Sequence, residues 1–328
     1  MLKIGFAFFH PVHKIVEHHA CELGVRYAVT NAGWTGPYNA WTHEWDYMPL
    51  LKAKLEMQEY GMKFAVVEGV GFIDPAKLNL RDRDECIEKF GILLKNMADL
   101  GIDTVCYNWM PVWGWFRTQN HMVLPGGATA TSFDINDVPK GLISDAGLVK
   151  NDNLWENLEY FLKRVVPMAE KYKVKLALHP DDPPVSAIGG IDRILTSADA
   201  MQRVIDLVPS EYNGITMCQG CFAAMGEDVP AAIRHFGDQH RIFFAHFRDI
   251  EGEREHFHET FHNQGKTDML EAIRAYYDIG FDGVMRPDHV PTMYDDKVNE
   301  EGYGVNGNLF ATGYMYGLME AVEGERRQ

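Results

Sequence analysis

The chain has 328 residues, 46% hydrophobic and 24% charged, and its 31 basic and 47 acidic residues give a formal net charge of -16. This is the balance of a globular protein. No apolar run approaches the ~18 to 20 residues of a membrane span, so membrane, collagen-like and disordered classes are excluded. Such an excess of negative charge repels phosphate backbones and anionic lipid, and neither nucleic acid nor a membrane is an expected partner.

Length alone admits two domains or one barrel of roughly 250 residues with loop insertions. The opening segment, MLKIGFAFFHPVHKIVEHH, carries charged and histidine residues where a signal peptide would have small residues and a cleavage site, so it reads as a first strand. Short apolar runs rich in β-branched and aromatic residues then recur: KIGFAFF (3–9), RYAVTN (26–31), KFAVVEGV (63–70), TVCYNWM (104–110), KLALHP (175–180), GITMCQG (214–220), IFFAHFRD (242–249) and GVMRPDH (283–289). They are composed as strands buried on both faces. Between them lie helical patterns such as DYMPLLKAKLEMQEYG, ECIEKFGILLKNMADLG, NLWENLEYFLKRVVPMAEKYK and DMLEAIRAYYDIG, several ending in a glycine suited to a helix C-cap: Gly24, Gly61, Gly101 and Gly280.

Eight strands with eight following helices, the last being ATGYMYGLMEAVEG (311–324), predict an α/β fold of the (β/α)8 TIM-barrel type. No GxGxxG follows the first strand and no GxxxxGK[ST] occurs, so no nucleotide cofactor is expected. Without repeats, low-complexity tracts or a Pro/Gly-rich linker, residues 1–328 read as one domain. The stretch 111–150 shows no strong helix or strand pattern and is expected to be a long loop; 250–266 and 290–311 are two more. All three follow strands and so belong over the C-terminal rim, where such barrels place their active sites.

The strands end in polar residues: Glu68, Asn108, His179, Cys218, His246 and Asp288. One such residue is most simply a hydrogen-bonded cap, but six in one barrel are hard to explain that way. His179, Cys218, His246 and Asp288 end strands five to eight, and two imidazoles, a thiolate and a carboxylate compose a shell for a single borderline divalent ion. Cys221 completes a CxxC with Cys218, yet no second CxxC exists to make a structural zinc site; past the strand end it reads as a small buried thiol. The five cysteines are odd in number and widely spread in a chain large enough to need no staples, which predicts a reducing, cytoplasmic setting. His18, His19, His235 and His240 fall on helices or turns and read as surface residues. His256, His258 and His262, interleaved with Glu255 and Glu259, are equally well loop residues or contacts to substrate and ligands.

Seven segments, CYNWMPVWGWFRT (106–118), VLPGGATA (123–130), LHPDDPP (178–184), TMCQG (216–220), AHFRD (245–249), FHETFHNQGKTDM (257–269) and MRPDH (285–289), resemble the successive blocks of the mannonate dehydratases. They occur in that family's order and with similar spacing over the C-terminal two-thirds; the first hundred residues match only in strand-helix pattern. The resemblance implies a metal-dependent TIM barrel that converts D-mannonate to 2-keto-3-deoxy-D-gluconate in hexuronate catabolism, using Mn2+ or Fe2+. It carries the family's metal ligands to His179, Cys218, His246 and Asp288, its catalytic histidine to His289, and its catalytic tyrosine to Tyr303 in EEGYG. The chain departs from the family where it reads PDHVPT and WFRT, so Phe116, Val290 and Pro291 replace small or polar residues expected to face substrate, and the block between strands four and five is shorter. A dehydratase of another sugar acid is the alternative these departures raise.

Dehydration of a 2,3-dihydroxy acid requires removal of the proton alpha to a carboxylate and expulsion of the C3 hydroxyl, for which His289 and Tyr303 are the candidate base and acid. Arg117, Arg248 and Arg286 are candidates to clamp the substrate carboxylate, with structural ion pairs an equal claim on each. Asn108, Glu68, Asp181 and His258 are candidate polar contacts to substrate or ligands. Two rival functions remain: a sugar isomerase or epimerase of the xylose-isomerase type, separated by ketose rather than keto-acid production, and a catalytically dead sugar-acid-binding protein, separated by affinity without turnover. The partner expected throughout is a small sugar acid, with self-association into a homo-oligomer possible.

Overall fold

A computed structural model describes residues 2–9, 14–31, 42–296 and 301–327. Eight parallel strands, Lys3–Phe8, Tyr27–Thr30, Lys63–Glu68, Thr104–Asn108, Lys175–His179, Asn213–Cys218, Ile242–Phe247 and Val284–Pro287, close into a barrel in sequence order, the first pairing with both the second and the eighth. Each falls within one residue of an apolar run read from the sequence. Helices cover the outside: Lys14–Glu22, Tyr47–Glu59, Arg83–Asp99, Asn151–Tyr172, Ala198–Leu207, Met269–Asp278 and Val305–Arg326, with two, Gln219–Met225 and Val229–Asp238, after the sixth strand. Three of them start on a side-chain cap, Ser197 Oγ accepting from Ala200 N, Asp228 Oδ1 from Ala231 N and Asp268 Oδ1 from Glu271 N. Gly24, Gly61, Gly101 and Gly280 all take the left-handed backbone expected of them. Among the described residues no helix is long and apolar enough to cross a membrane.

The core lies mainly between barrel and helices, where Phe90 meets Phe161 edge-on at 5.2 Å and Tyr107 at 5.9 Å. Inside the barrel, Val29, Val66, Phe244 and Val284 form an apolar layer. Side chains two apart on a strand share a face, so the inward face continues from Val66 to Glu68, from Phe244 to His246 and from Val284 to Arg286. Register locks this second layer at one height: Glu68 pairs with Cys106, Cys218 with His246, and His246 with Arg286, while Asn108 and His179 pair nearer the rim. The barrel therefore changes from apolar to ionisable within one step of the pleat.

The segment 111–150, expected to be a long loop without strand or helix pattern, contains two strands. It carries strands Gln119–Val123 and Thr129–Asp134, which join Ile250–Glu253 and His256–Glu259 in a four-stranded antiparallel sheet over the rim. The outer strand QNHMV is largely exposed and its neighbour TATSFD is rich in hydroxyl residues, so neither presents an apolar run. The third long connection is shorter than expected because the last helix starts at Val305; residues 297–300 of it lie outside the described residues. Bridges Thr129–Thr292 and Val290–Tyr303 tie it to the overhanging sheet and to the residues ahead of that helix.

Candidate active site

At the C-terminal mouth lies a cavity of about 310 Å³, lined among others by Phe9, Glu68, Cys106, Asn108, Trp115, His179, Asp182, His246, Arg286, Asp288, His289 and Tyr303. A larger groove of about 620 Å³ runs between the helices Val229–Asp238 and Met269–Asp278, away from every strand end. Convergent ionisable groups make the mouth the candidate site.

His179 Nδ1 lies 2.6 Å from the Pro180 carbonyl, which can only accept, so this nitrogen carries the proton and Nε2 is left facing His246 Nδ1 at 3.2 Å. His246 Nδ1 also stands 3.4 Å from Asp288 Oδ2, and its Nε2 3.0 Å from Glu68 Oε1. Burial and the Arg286 guanidinium oppose a charge on His246, but Glu68 and Asp288 outweigh them and push its pKa up to about 10. Cys218, fully buried, lies 3.9 Å from Asp288 Oδ2 and accepts from Arg248 Nε at 3.4 Å. Burial opposes its thiolate, yet the Cys221 thiol donating to it and the charges of Arg248 and His179 hold its pKa well below the usual thiol range. Asp288 sits between Arg286 Nη1 at 2.8 Å and Arg248 Nε at 2.9 Å; burial resists its ionisation, and His289, Arg286 and His246 keep it well below the ordinary carboxylate value.

The donor atoms of His179, Cys218 and His246 lie within 4.8 Å of one another, a group that could hold a metal ion, and Asp288 Oδ2 adjoins two of the three. Imidazole nitrogens, a sulfur held toward thiolate and a carboxylate fit a borderline divalent cation. A second group, Glu68, Cys106 and His246, shares His246, but Glu68 is bound by Arg286 through Nε at 2.8 Å and Nη2 at 2.6 Å. Burial raises the Glu68 pKa, while Arg286 and His246 outweigh it and bring it down to about 2.

His289 follows Asp288 onto the cavity wall. Its ring lies 4.9 Å from that of Trp115 and edge-on to Tyr303 at 5.4 Å, with Nε2 3.7 Å from Asp288 Oδ1. Tyr303 is brought beside it by the Val290 N–H donating to the Gly302 carbonyl at 2.7 Å. Gly302 has φ +86°, and a Cβ there would stand 3.3 Å from His289 Cδ2, so both the turn and the close approach call for glycine. Tyr303 Oη donates to Asp288 Oδ1 at 3.2 Å and accepts from Arg286 Nη2 at 3.4 Å. Asn108 Oδ1 accepts from Lys77 Nζ at 3.1 Å.

Not every sequence candidate reaches the cavity. Arg117 and Arg248 are buried behind it, engaged by Asp182 and Glu259, which leaves the carboxylate-clamp role to neither in this arrangement. Arg248 crosses so close over Gly220 that a Cβ would sit 2.7 Å from its Cζ. Asp181 is buried on the Leu195 N–H at 2.7 Å and 3.6 Å from Arg193; its neighbour Asp182 is the one that lines the cavity. Beyond the strand end the chain turns, and alternation no longer tells which of two aspartates faces inward. His258 belongs to the overhanging sheet, paired in register with Glu251 and Ser132, and His262 is buried with its ring 5.8 Å from Phe247. Phe116, Val290 and Pro291 do not line the cavity either, contrary to the expectation that they face substrate: Phe116 packs toward Phe133, and Val290 bridges to Tyr303. Trp115 and Phe9 line the cavity without a strand-end position to mark them, and Glu259 is marked in the sequence only by the histidines interleaved with it and by the block FHET.

The family model for D-mannonate dehydratase (UxuA) matches residues 24–150 and 140–328. The chain is 37% identical to the mannonate dehydratase of Thermotoga maritima, over 85% of this chain and 87% of that one, and 36% identical to mannonate dehydratase 2 of Halalkalibacterium halodurans, over 85% and 88%. The solved structure of the mannonate dehydratase from Streptococcus suis serotype 2 superposes with a TM-score of 0.90 at 33% identity, covering 100% of this chain and 95% of that chain. A D-tagatose 3-epimerase-like protein, with a TM-score of 0.64 at 15% identity and 99% coverage of each chain, shares the barrel alone. Matches of this strength over most of the chain that carries these strand-end residues separate it from the epimerases, and the chain belongs to the D-mannonate dehydratase family of hydro-lyases.

Proposed function

We propose that the chain dehydrates D-mannonate to 2-keto-3-deoxy-D-gluconate and water, a step of hexuronate breakdown, with one Mn2+ or Fe2+ held by His179, Cys218, His246 and Asp288. The observation that carries this reading is the meeting of His179, His246 and Asp288, with Cys218 buried beside them, and of His289 and Tyr303 at one cavity, in a chain whose relatives are named mannonate dehydratase. When bound, the cation supplies Lewis-acid stabilisation of negative charge at the substrate's carboxylate end.

The residues of the chain carry the rest. One of His289 and Tyr303 takes the proton from C2, and the other delivers a proton to the C3 hydroxyl as it leaves as water; the enol product then ketonises. Tyr303 Oη, donating to Asp288 and accepting from Arg286, is placed to exchange its proton while the guanidinium stabilises charge on that oxygen. Arg286, tied to Glu68 and Asp288, holds both carboxylates in place on the cavity floor. Asn108 and Asp182 offer polar contacts on the wall, and Trp115 covers His289. The five cysteines are all free, which suits a reducing cytoplasm, and we read the whole chain as one barrel unit.

A screen of aldonic acids with added Mn2+, reading 2-keto-3-deoxy acid formation, tests the proposal. Turnover of D-mannonate is the expected result. Ketose formation from an aldose, or binding of aldonates without turnover, overturns it.

A further inference from the structure

We propose that Glu259 is a positioning residue for His289, fixing which imidazole nitrogen carries the proton and which faces the reacting substrate. The inference rests on the reading of His289 as a proton-transfer group. Glu259 ends the strand His256–Glu259 of the overhanging sheet and is fully buried. It does not line the cavity, so its effect on substrate must pass through another residue.

Two guanidinium groups hold the carboxylate. Oε1 accepts from Arg117 Nη2 at 2.6 Å and from Arg248 Nη1 at 2.7 Å, and Oε2 accepts from the same Arg248 nitrogen at 2.8 Å. The arginines are themselves held by Asp182, which accepts from Arg117 Nη1 at 2.6 Å and from Arg248 Nη2 at 2.6 Å. Two carboxylates and two guanidiniums thus alternate in a buried ring without net charge. The planar fork of arginine makes such a ring stiff. Neutrality needs nothing more from Glu259, yet its Oε1 also stands 3.3 Å from His289 Nδ1.

A carboxylate flanked by two guanidiniums is ionised and can only accept. His289 Nδ1 must therefore donate, which leaves Nε2 without a proton in the neutral ring and turned toward Asp288 Oδ1 and the cavity. Trp115 and Gly302 confine the ring's faces and edge, but packing cannot distinguish one ring nitrogen from the other. Only a directed acceptor does. An imidazole in the wrong tautomer presents N–H where a lone pair is required, and an acid-base step through it fails.

The test uses the metal-loaded, full-length protein. Glu259→Gln is expected to lower kcat for D-mannonate by about 10²-fold or more while KM stays within about threefold and metal content is unchanged. In a His289→Asn background the same substitution is expected to cost less than about twofold, because its effect passes through the imidazole already removed. A Glu259→Gln protein with full kcat, or an equal further loss in the His289→Asn background, overturns the proposal. His289→Asn with undiminished turnover instead overturns the reading beneath it. Should Glu259→Gln fail to fold, nitrogen NMR of wild-type protein with labelled histidine decides, His289 being assigned from its absence in His289→Asn. A proton on Nδ1 is expected, and an Nδ1 without one overturns the proposal.

Discussion

Glu68 Oε1 stands 3.0 Å from His246 Nε2, so the carboxylate holds the far side of an imidazole whose near nitrogen, Nδ1, looks toward His179 and Asp288. Arg286 binds both oxygens of Glu68 and so fixes the carboxylate in turn. A metal-ligating histidine needs such a partner on its second nitrogen to set ring orientation and basicity. The polar layer inside the barrel is therefore an ordered chain from Arg286 through Glu68 to His246.

Glu68→Gln should weaken that chain without removing a ligand. Partners of this kind are worth about 10- to 100-fold in metal affinity, so competition with a metal-sensitive dye should show a loss in that range. Affinity equal to wild type would mean that Glu68 serves only to neutralise Arg286.

Removing a donor should do more. His179→Ala or Asp288→Ala is expected to abolish stoichiometric metal and turnover together while the barrel stays folded, since the apolar layer of Val29, Val66, Phe244 and Val284 lies below the site. Elemental analysis with far-UV circular dichroism checks this. Near-normal metal in both variants would exclude the four-residue shell.

His289→Asn separates chemistry from ligation. With Nε2 3.7 Å from Asp288 and Nδ1 on Glu259, the ring adjoins the donor group without joining it. Metal content should persist while turnover falls by about 10² to 10⁴, the usual worth of a general acid or base. Loss of metal would make His289 a ligand.

The ionised layer also sets how stability of the metal-stripped protein responds to pH. Glu68 and Asp182 are depressed to about 2 from ordinary values of 4.5 and 3.8, so the stability they contribute is complete above about pH 4.5 and is lost as pH falls toward 2. Each is worth on the order of 2 to 3 kcal/mol. His246 is raised from 6.5 to about 10, so its contribution is complete below pH 6.5 and is lost as pH rises toward 10. His262, buried and lowered from 6.5 to about 4, loses its contribution as pH falls below 6.5, while Cys218, held well below the usual thiol range, gains as pH rises toward 9 and opposes the His246 loss. Thermal melts should therefore show Tm falling as pH drops from 6.5 toward 2. A Tm unchanged between pH 6.5 and 3 would contradict these assignments.

Strand ends were legible in the sequence because alternation survives inside a buried strand. Val66 to Glu68, Phe244 to His246 and Val284 to Arg286 each replace an apolar residue by an ionisable one on the same inward face. That rule stops where the strand stops. Asp181 and Asp182 are adjacent in a turn, and only the fold shows that Asp182 meets Arg117 and Arg248. The overhanging hairpin was illegible for a different reason: its outer strand is largely exposed and is stabilised by pairing that single-strand composition does not record. Glu259 combines both difficulties, being the last residue of an overhanging strand.

Substrate choice is where sequence departures and structure give different expectations. Phe116, Val290 and Pro291 depart from the family pattern, but none lines the cavity. Phe116 lies 6.4 Å from the Phe133 ring and 6.5 Å from Trp113, beneath the overhanging sheet. Phe116→Thr should therefore leave the ratio of kcat/KM values for D-mannonate, D-gluconate and D-altronate within about twofold of wild type, while lost packing costs about 1 to 3 kcal/mol. Wild type itself should prefer D-mannonate by about a hundredfold or more, because the cavity wall is made of polar groups, Asn108, Asp182, His289 and Tyr303, and a hydroxyl missing its partner there costs far more than a change of apolar bulk. Steady-state kinetics on the three acids, with a thermal melt of Phe116→Thr beside wild type, decides both points. A selectivity change of tenfold or more in Phe116→Thr without a drop in Tm would place that ring in substrate recognition after all.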